Sequence, residues 1–267
     1  MVEQVDQKQS PVFNDYSRYY DLLYRDKDYQ VEADYVAGLI HRFHPDARSI
    51  LELGSGTGKH ALLLAQKGFL VYGVERSPEM LKTARQNAAN HPDAQASNLC
   101  FFQGDIRTIR LQKHFDAVIA LFHVISYQTT NDDVISTFRT AWEHLNSDGL
   151  FIFDVWYGPA VLTQRPEVRI KRIANEKIEV TRLAEPVLHP NENLVDVNYH
   201  IFVRDRETAA VKELKEAHVM RYFFYPEIEL IANQSGFLVL HAEEWVTGNQ
   251  LDQNTWGAVF ILRASMG

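Results

Sequence analysis

The sequence has one cysteine, Cys100, among 267 residues. It allows neither an intramolecular disulfide nor a cysteine-bound metal cluster. Cys100 stands in the apolar run Leu99-Cys100-Phe101-Phe102, so a buried structural thiol is expected. Long apolar runs are missing too. No stretch approaches the ~18 residues of a membrane-spanning helix, and Met1 to Ser10 is polar, without the apolar centre of a signal peptide. No membrane partner is expected, and the cytoplasm is the expected location. Basic residues are in deficit: 27 Lys and Arg face 35 Asp and Glu, for a net charge of -8. A net acidic surface repels phosphate backbones, which argues against nucleic acid as a partner. His41 and His44 lie three apart on a helix end, but no carboxylate stands at ligand spacing beside them, so a surface helix face and no metal are expected.

No internal repeat or low-complexity tract is found. What is present is a chain 46% hydrophobic and 23% charged, enough for a sizeable core. Its length suits one large domain, or one domain carrying an insert. Residues 1–12 are expected to be a disordered lead. An aromatic-dense segment follows, then a helix over 28–43 with Val31, Tyr35, Val36, Leu39, Ile40 and Phe43 on one face. From residue 49 strands and helices alternate. Strands are predicted over 49–53, 69–74, 99–103, 115–122 and 150–155; helices over 59–67, 77–90 and 132–145, the last followed by Gly149. The strand segments are apolar without alternation, as in a parallel sheet covered on both faces. The rhythm changes after Pro159. Residues 168–225 alternate in pattern and read as antiparallel strands lying over the strand ends. A helix from Pro226 and two last strands complete the chain. The expected fold is α/β, with residues 13–160 and 226–267 forming the main domain and 161–225 an inserted antiparallel sheet acting as a lid.

The loop Leu51-Glu52-Leu53-Gly54-Ser55-Gly56-Thr57-Gly58 closes the first strand. Glycines at a strand-to-helix turn permit positive φ and close backbone approach. The dinucleotide fingerprint spaces them G-x-G-x-x-G and seats a pyrophosphate. Here the third glycine comes one residue early, and Glu52 precedes the loop, where an acid suits an ammonium and repels a phosphate. Glu75 ends the second strand, positioned to accept from two ribose hydroxyls. Asp105 follows the third, positioned to accept from an adenine amine. Tyr72, Met80 and Ile106 are candidate apolar walls. S-adenosyl-L-methionine (SAM) fits this set, since it carries an ammonium and a sulfonium and no phosphate.

Glu52, Gly54, Gly56, Gly58, Glu75 and Gly104-Asp105, in that order, resemble the motifs of class I SAM-dependent methyltransferases over roughly 13–160 and 226–263. The resemblance implies a Rossmann-like seven-stranded sheet with helices on both faces, one antiparallel strand set inside it by the final hairpin, and S-adenosylhomocysteine as product. It implies a cofactor site made of Tyr20, Tyr24, Glu52, Gly54, Ser55, Gly56, Gly58, Glu75, Arg76, Met80, Gly104, Asp105, Ile106 and Leu121. Tyr16-Ser17-Arg18-Tyr19-Tyr20-Asp21-Leu22-Leu23-Tyr24, Phe115-Asp116-Ala117-Val118, Phe151 to Pro159 and the His218 segment further resemble TDP-amino-sugar N,N-dimethyltransferases. That implies a small-molecule amine acceptor such as an amino-sugar nucleotide.

The candidates for catalysis are Tyr16, His123 and Tyr127, and for substrate binding Trp156, Tyr157, Arg169 and His218. Tyr127 stands where the sugar enzymes carry a histidine after the fourth strand. Packing is the competing role for these tyrosines and for His218. Arg165, Arg169, Lys171, Arg172, Lys177 and Arg182 either steer a diphosphate or form a solvated strand face. The insert either covers the substrate or joins a homodimer. O- or C-methylation, a non-catalytic SAM-binding protein and a NAD-dependent oxidoreductase are the alternatives.

Overall fold

The computed structural model describes residues 17–91 and 98–265; the expected lead at 1–12 and Tyr16 lie outside them. In chain order the elements are α1 (Ser17–Leu23), α2 (Tyr29–Phe43), β1 (Ser49–Leu53), α3 (Lys59–Gln66), β2 (Leu70–Glu75), α4 (Pro78–Ala89), β3 (Leu99–Gln103), β4 (Phe115–Ala120), α5 (Asn131–Glu143), β5 (Leu145–Tyr157) and α6 (Gly158–Gln164). Then come β6 (Arg169–Ala174), β7 (Ile178–His189), β8 (Leu194–Asp205), β9 (Val211–Phe223), α7 (Tyr225–Gln234), β10 (Phe237–Glu244) and β11 (Gly257–Ala264).

β1 to β5 are parallel in the order β3-β2-β1-β4-β5. β11 runs antiparallel to both β5 and β10, so the final hairpin sets one reversed strand inside the sheet, which has eleven strands in all where seven were expected. Successive side chains of a strand point to opposite faces, and both faces are dry. Phe151 and Phe153 pack with Phe138 of α5 and Ile228 of α7 on one side. Leu150 and Ile152 pack with Val36 and Ile40 of α2 and Leu64 of α3 on the other. This double burial is why these strands read as unbroken apolar runs.

Two differences from the sequence reading have physical causes. β5 begins at Leu145, not at 150. Asp148 adopts a left-handed φ of 61°, and the β4–β5 register shifts between Phe115 and Ala117. The stretch read as a helix end and a glycine stop is therefore an irregular strand start. The second difference is larger. β6–β9 form the predicted antiparallel array, but it is not a separate sheet. β4 stops at Ala120, opposite Phe153. Beyond that point β9 pairs parallel to β5, Trp156 with Tyr222 and Tyr157 with Phe223. The backbone groups that β4 leaves open must find partners, and β9 provides them. The array thus extends the main sheet, and α1 packs on it through Leu23, against Val180, Ile201 and Val203.

Asp116 ties the start of β1 to β4. Its carboxylate accepts from the backbone N–H of Arg48 at 2.8 Å and of Ser49 at 2.9 Å, from Ser49 Oγ at 2.8 Å and from Asn146 Nδ2 at 2.8 Å. Burial pushes this carboxyl up, but the hydrogen bonds outweigh burial and hold it below the usual carboxylate range. Asp116→Ala is expected to cost about 1–3 kcal/mol in urea denaturation at neutral pH. A depressed acid stabilises fully above its unfolded pKa and loses that contribution as pH falls through the folded one. The gap between variant and wild type should therefore close in strong acid, and a gap that persists there would contradict this account.

Candidate active site

The loop from β1 to α3 is the floor of the site. Gly54, Gly56 and Gly58 have φ of 75°, 55° and 77°, the region where a Cβ is strained. A Cβ on Gly54 would meet Val124 at 2.7 Å, and one on Gly58 would meet Phe101 at 2.7 Å. The loop hangs from β2: Gly54 and Ser55 N–H donate to Val74 C=O at 2.8 and 3.0 Å. Its central donor is also spent. Gly56 N–H donates to Glu75 Oε2 at 2.9 Å, while Ser77 N–H donates to Oε1 at 2.7 Å. A carboxylate thus occupies the backbone donor that a phosphate would need. Glu75 is buried, which pushes its carboxyl up against the opposing backbone hydrogen bonds.

This loop floors a cleft of about 710 Å³ at the carboxyl ends of β1, β2 and β4, where open α/β sheets bind ligands. On one side lie Glu75, Arg76, Met80, Asp105, Ile106 and Leu121. Asp105 is held by Arg107: Oδ1 accepts from its backbone N–H at 3.0 Å and Nε at 2.9 Å, and Oδ2 from an Nη at 2.6 Å. Arg107 holds this carboxyl below the usual range. A carboxylate offers about four acceptor sites, so one remains for a ligand. Tyr20 of α1 and Tyr24, just after it, form an aromatic group with Phe122, their ring centroids 6.4 and 5.1 Å from it.

The turn after β4 forms the other wall. Phe122 and His123 have φ of 65° and 64°, two consecutive non-glycine residues in a conformation costing roughly 1–2 kcal/mol each. The fully buried Asp154 of β5 holds this turn, accepting from His123 N–H at 3.1 and 3.2 Å, with His123 Nδ1 also 2.6 Å from Oδ2. The His123 ring lies beside Trp156. From a 3₁₀ turn over Ile125–Tyr127, the Tyr127 hydroxyl meets His218 Nδ1 of β9 at 2.9 Å, and His218 Nε2 meets Glu216 at 3.2 Å. Tyr199 of β8 and Met220 of β9 finish this end.

Most of the predicted residues converge on the cleft: Tyr20, Tyr24, Gly54, Ser55, Gly56, Glu75, Arg76, Met80, Asp105, Ile106, Leu121, His123, Tyr127, Trp156 and His218 line it. Several do not. Gly58 and Gly104 sit behind the lining, packed on Phe101 and Ile109. Tyr72 points to the opposite face, stacked on Phe102. Tyr157 packs against the core on the α5 and α7 side, and Arg169 is exposed on β6, the outermost strand. Glu52 is buried beneath the loop, with Oε2 unbonded and Oε1 3.8 Å from His60 Nδ1. It does not line the cleft, because its strand position turns it to the α2–α3 side. The sequence reading missed Asp154, although an acid inside Phe151-Ile152-Phe153-Asp154-Val155 was the available sign. It also missed Tyr29, Lys59, Tyr199, Glu216 and Met220.

Residues 50–149 match the family model described as a methyltransferase domain. A dTDP-3-amino-3,4,6-trideoxy-alpha-D-glucopyranose N,N-dimethyltransferase of Streptomyces venezuelae is 28% identical over 89% of this chain and 96% of its own length. Among solved structures, Streptomyces venezuelae DesVI superposes with a TM-score of 0.77 at 25% identity, covering 95% of this chain and 99% of that one. A SAM-dependent methyltransferase from Clostridium acetobutylicum gives a TM-score of 0.80 at 22% identity, over 95% and 99%, which is likeness of fold.

Burial, then the nearby Glu75 carboxylate, pushes Glu52 from 4.5 up to about 8. Between those values the folded chain binds more protons than the unfolded one, so stability falls as pH rises through the window. Glu52→Gln should match wild type in thermal stability near pH 5 and exceed it near pH 9. Parallel stability curves for the two proteins would refute this.

Proposed function

With the chain a SAM-dependent methyltransferase, we propose that its acceptor is the amine of a small amino sugar, carried on a nucleotide. The observation that carries this reading is one continuous cleft, running from Glu75 and Asp105 to Tyr127, Tyr199 and His218 of the lid. The acidic end suits a cofactor with hydroxyls and no phosphate. The aromatic end suits a cationic acceptor, since ring faces attract cations. Similarity over 89% of the chain to an amino-sugar N,N-dimethyltransferase supports the sugar.

The fit of the cofactor rests on the Glu75 clasp. With Gly56 and Ser77 N–H already bound, the remaining Glu75 lone pairs suit the two ribose hydroxyls. Asp105 and the backbone at Ile106 suit the adenine edge, with Met80 and Leu121 as apolar walls. Tyr20, Tyr24 and Phe122 form an aromatic wall that would suit a sulfonium. Bound SAM supplies an activated methyl group, electrophilic because its leaving group is a neutral thioether. The protein's work is therefore positioning: a near-attack pose contributes roughly 7–11 kcal/mol. The strained Phe122-His123 turn, held by Asp154, and Trp156 fix the wall against which the acceptor nitrogen rests. The lid residues Tyr199, His218 and Met220 exclude water.

Incubation with SAM and dTDP-3-amino-3,4,6-trideoxyglucose should yield S-adenosylhomocysteine and methylated amine, read by mass spectrometry. A panel in which only hydroxyl acceptors are methylated would sink the amine reading. Glu75→Ala should weaken S-adenosylhomocysteine binding by about 10- to 150-fold in calorimetry, the loss of charge-assisted hydrogen bonds. Because burial raises the Glu75 carboxyl, wild-type affinity should fall with pH before an ordinary carboxylate would titrate. Unchanged affinity in the alanine variant would remove Glu75 from the cofactor site.

A further inference from the structure

A buried acid needs either a cation beside it or its proton. Glu52 on β1 is 2% exposed. Ala61 N–H of α3 donates to its carboxyl, and Oε2 is unbonded among the described residues. Burial, then Glu75, raises this carboxyl to about 8, so at neutral pH it keeps its proton.

His60 of α3 stands between this acid and the cleft. It lines the cleft, and its Nδ1 lies 3.8 Å from Glu52 Oε1. Its hydrogen is placed by its other partner, for Nε2 is 2.7 Å from Glu32 Oε2 of α2. Burial pushes Glu32 up, but His60 and Lys27 outweigh burial and bring it down to about 2. An ionised carboxylate only accepts, so the hydrogen sits on Nε2. Burial pushes the imidazole below its ordinary range. The ring is therefore neutral and Nδ1 is a bare acceptor, with no partner in hydrogen-bond reach among the described residues. Lys27 pairs with Glu32, and Trp245 Nε1 lies 3.4 Å from its Oε1, which fixes the acid that fixes the ring.

An acceptor on the cleft wall, backed by an acid with a proton to lose, suits a ligand that brings a cation bearing N–H groups. We propose that His60 and Glu52 form a proton-linked receptor for the ammonium of the cofactor's amino-acid end, an inference that rests on the SAM site proposed above. His60 Nδ1 accepts one ammonium N–H. Glu52 behind it gives its proton to solvent and becomes a carboxylate. The ammonium keeps all its hydrogens, so one positive charge enters and one proton leaves. The linkage arises because a nearby cation favours the ionised carboxylate.

The groups around the pair come from several elements. Glu75 of β2 opposes the ionisation of Glu52. Glu32 of α2 and Asp154 of β5 favour positive charge at His60, and Lys27, before α2, opposes it. The Tyr29 ring lies 5.0 Å from the His60 ring, and Lys59 Nζ is 4.8 Å from the Tyr29 centroid. Lys59 also lines the cleft, and its charge suits the carboxylate that an amino acid carries beside its ammonium.

The test is calorimetry at pH 7 in phosphate and in Tris, buffers of different ionisation enthalpy. Two ligands are compared: S-adenosylhomocysteine and 5′-methylthioadenosine, which keeps adenine and ribose and lacks the amino acid. The second reports any proton released through Glu75. The first should release roughly half to one proton more. Its affinity for wild type should also rise from pH 6 to 8 more steeply than that of 5′-methylthioadenosine. Glu52→Gln should lose both excesses. His60→Ala should bind S-adenosylhomocysteine about 10- to 150-fold more weakly, the loss of a hydrogen bond to a charged group, and bind 5′-methylthioadenosine as wild type does, which also shows that it folds. Equal proton release with the two ligands overturns the linkage, and that comparison needs no variant. Equal release by Glu52→Gln and wild type overturns it as well. Equal losses for both ligands in His60→Ala make His60 structural and overturn its assignment. Wild type that binds neither ligand refutes the cofactor site itself, and the receptor falls with it.

Discussion

The bond from Gly56 N–H to the Glu75 carboxylate is the constraint on which the site depends. It joins the loop after β1 to the end of β2, and the second Glu75 oxygen binds Ser77 N–H at the start of α4. One side chain therefore aligns three segments. The same contact bears on which ligands the loop suits. A glycine loop at a helix start ordinarily offers its N–H groups to a phosphate. Here an acid holds the central one, so the loop repels phosphate and presents acceptor oxygens to a ligand that brings donors. Burial makes that acid costly to ionise, and the backbone donors offset the cost. The feature that places the loop also determines what it can hold.

A second buried acid does the equivalent task on the acceptor side. Asp154 has no solvent exposure, and its two oxygens accept from the backbone N–H of His123, with the His123 ring lying beside them. Two left-handed residues in a row would not persist unless their neighbours demanded it. The reward is directional: Phe122 turns toward Tyr20 and Tyr24, and His123 turns toward Trp156. One strained turn thus supplies a side chain to each half of the cleft. His123, a catalytic candidate from sequence, thus lines the cleft with its backbone anchored from behind.

What could be read from the sequence was whatever leaves a local trace. Gly54, Gly56 and Gly58 occupy positive φ, so their identity reports the backbone directly. The parallel strands are dry on both faces and read as apolar runs. The insert alternates because only one face is covered: Val195 and Val197 are buried, and Asp196 and Asn198 are not. What could not be read lies in contacts between distant positions. Asp154 meets His123 across 31 residues, and Tyr127 meets His218 across 91. The β5–β9 pairing consists of backbone hydrogen bonds, which no side chain announces. Glu52 misled for a different reason. Its place beside the glycine loop is a matter of sequence, but which face of β1 it occupies depends on the pleat, and that face is turned from the cleft.

The continuity between β5 and β9 bears on how the β6–β9 array is held. An array carried on loops alone could move as a body. This one is hydrogen-bonded into the main sheet beside Trp156 and Tyr157, and its root packs Val161 of α6 against Val195 and Tyr222. Swinging it away would break sheet pairing and a buried apolar cluster together. α1 is held from two sides. It is seven residues long, and a short helix is marginal without tertiary support. Leu23 supplies that support on the array, and Asp21 supplies it on the glycine loop, accepting from Thr57 Oγ1 at 3.0 Å and lying 2.9 Å from Lys59 Nζ. The helix therefore links the β6–β9 array to the loop that floors the cleft.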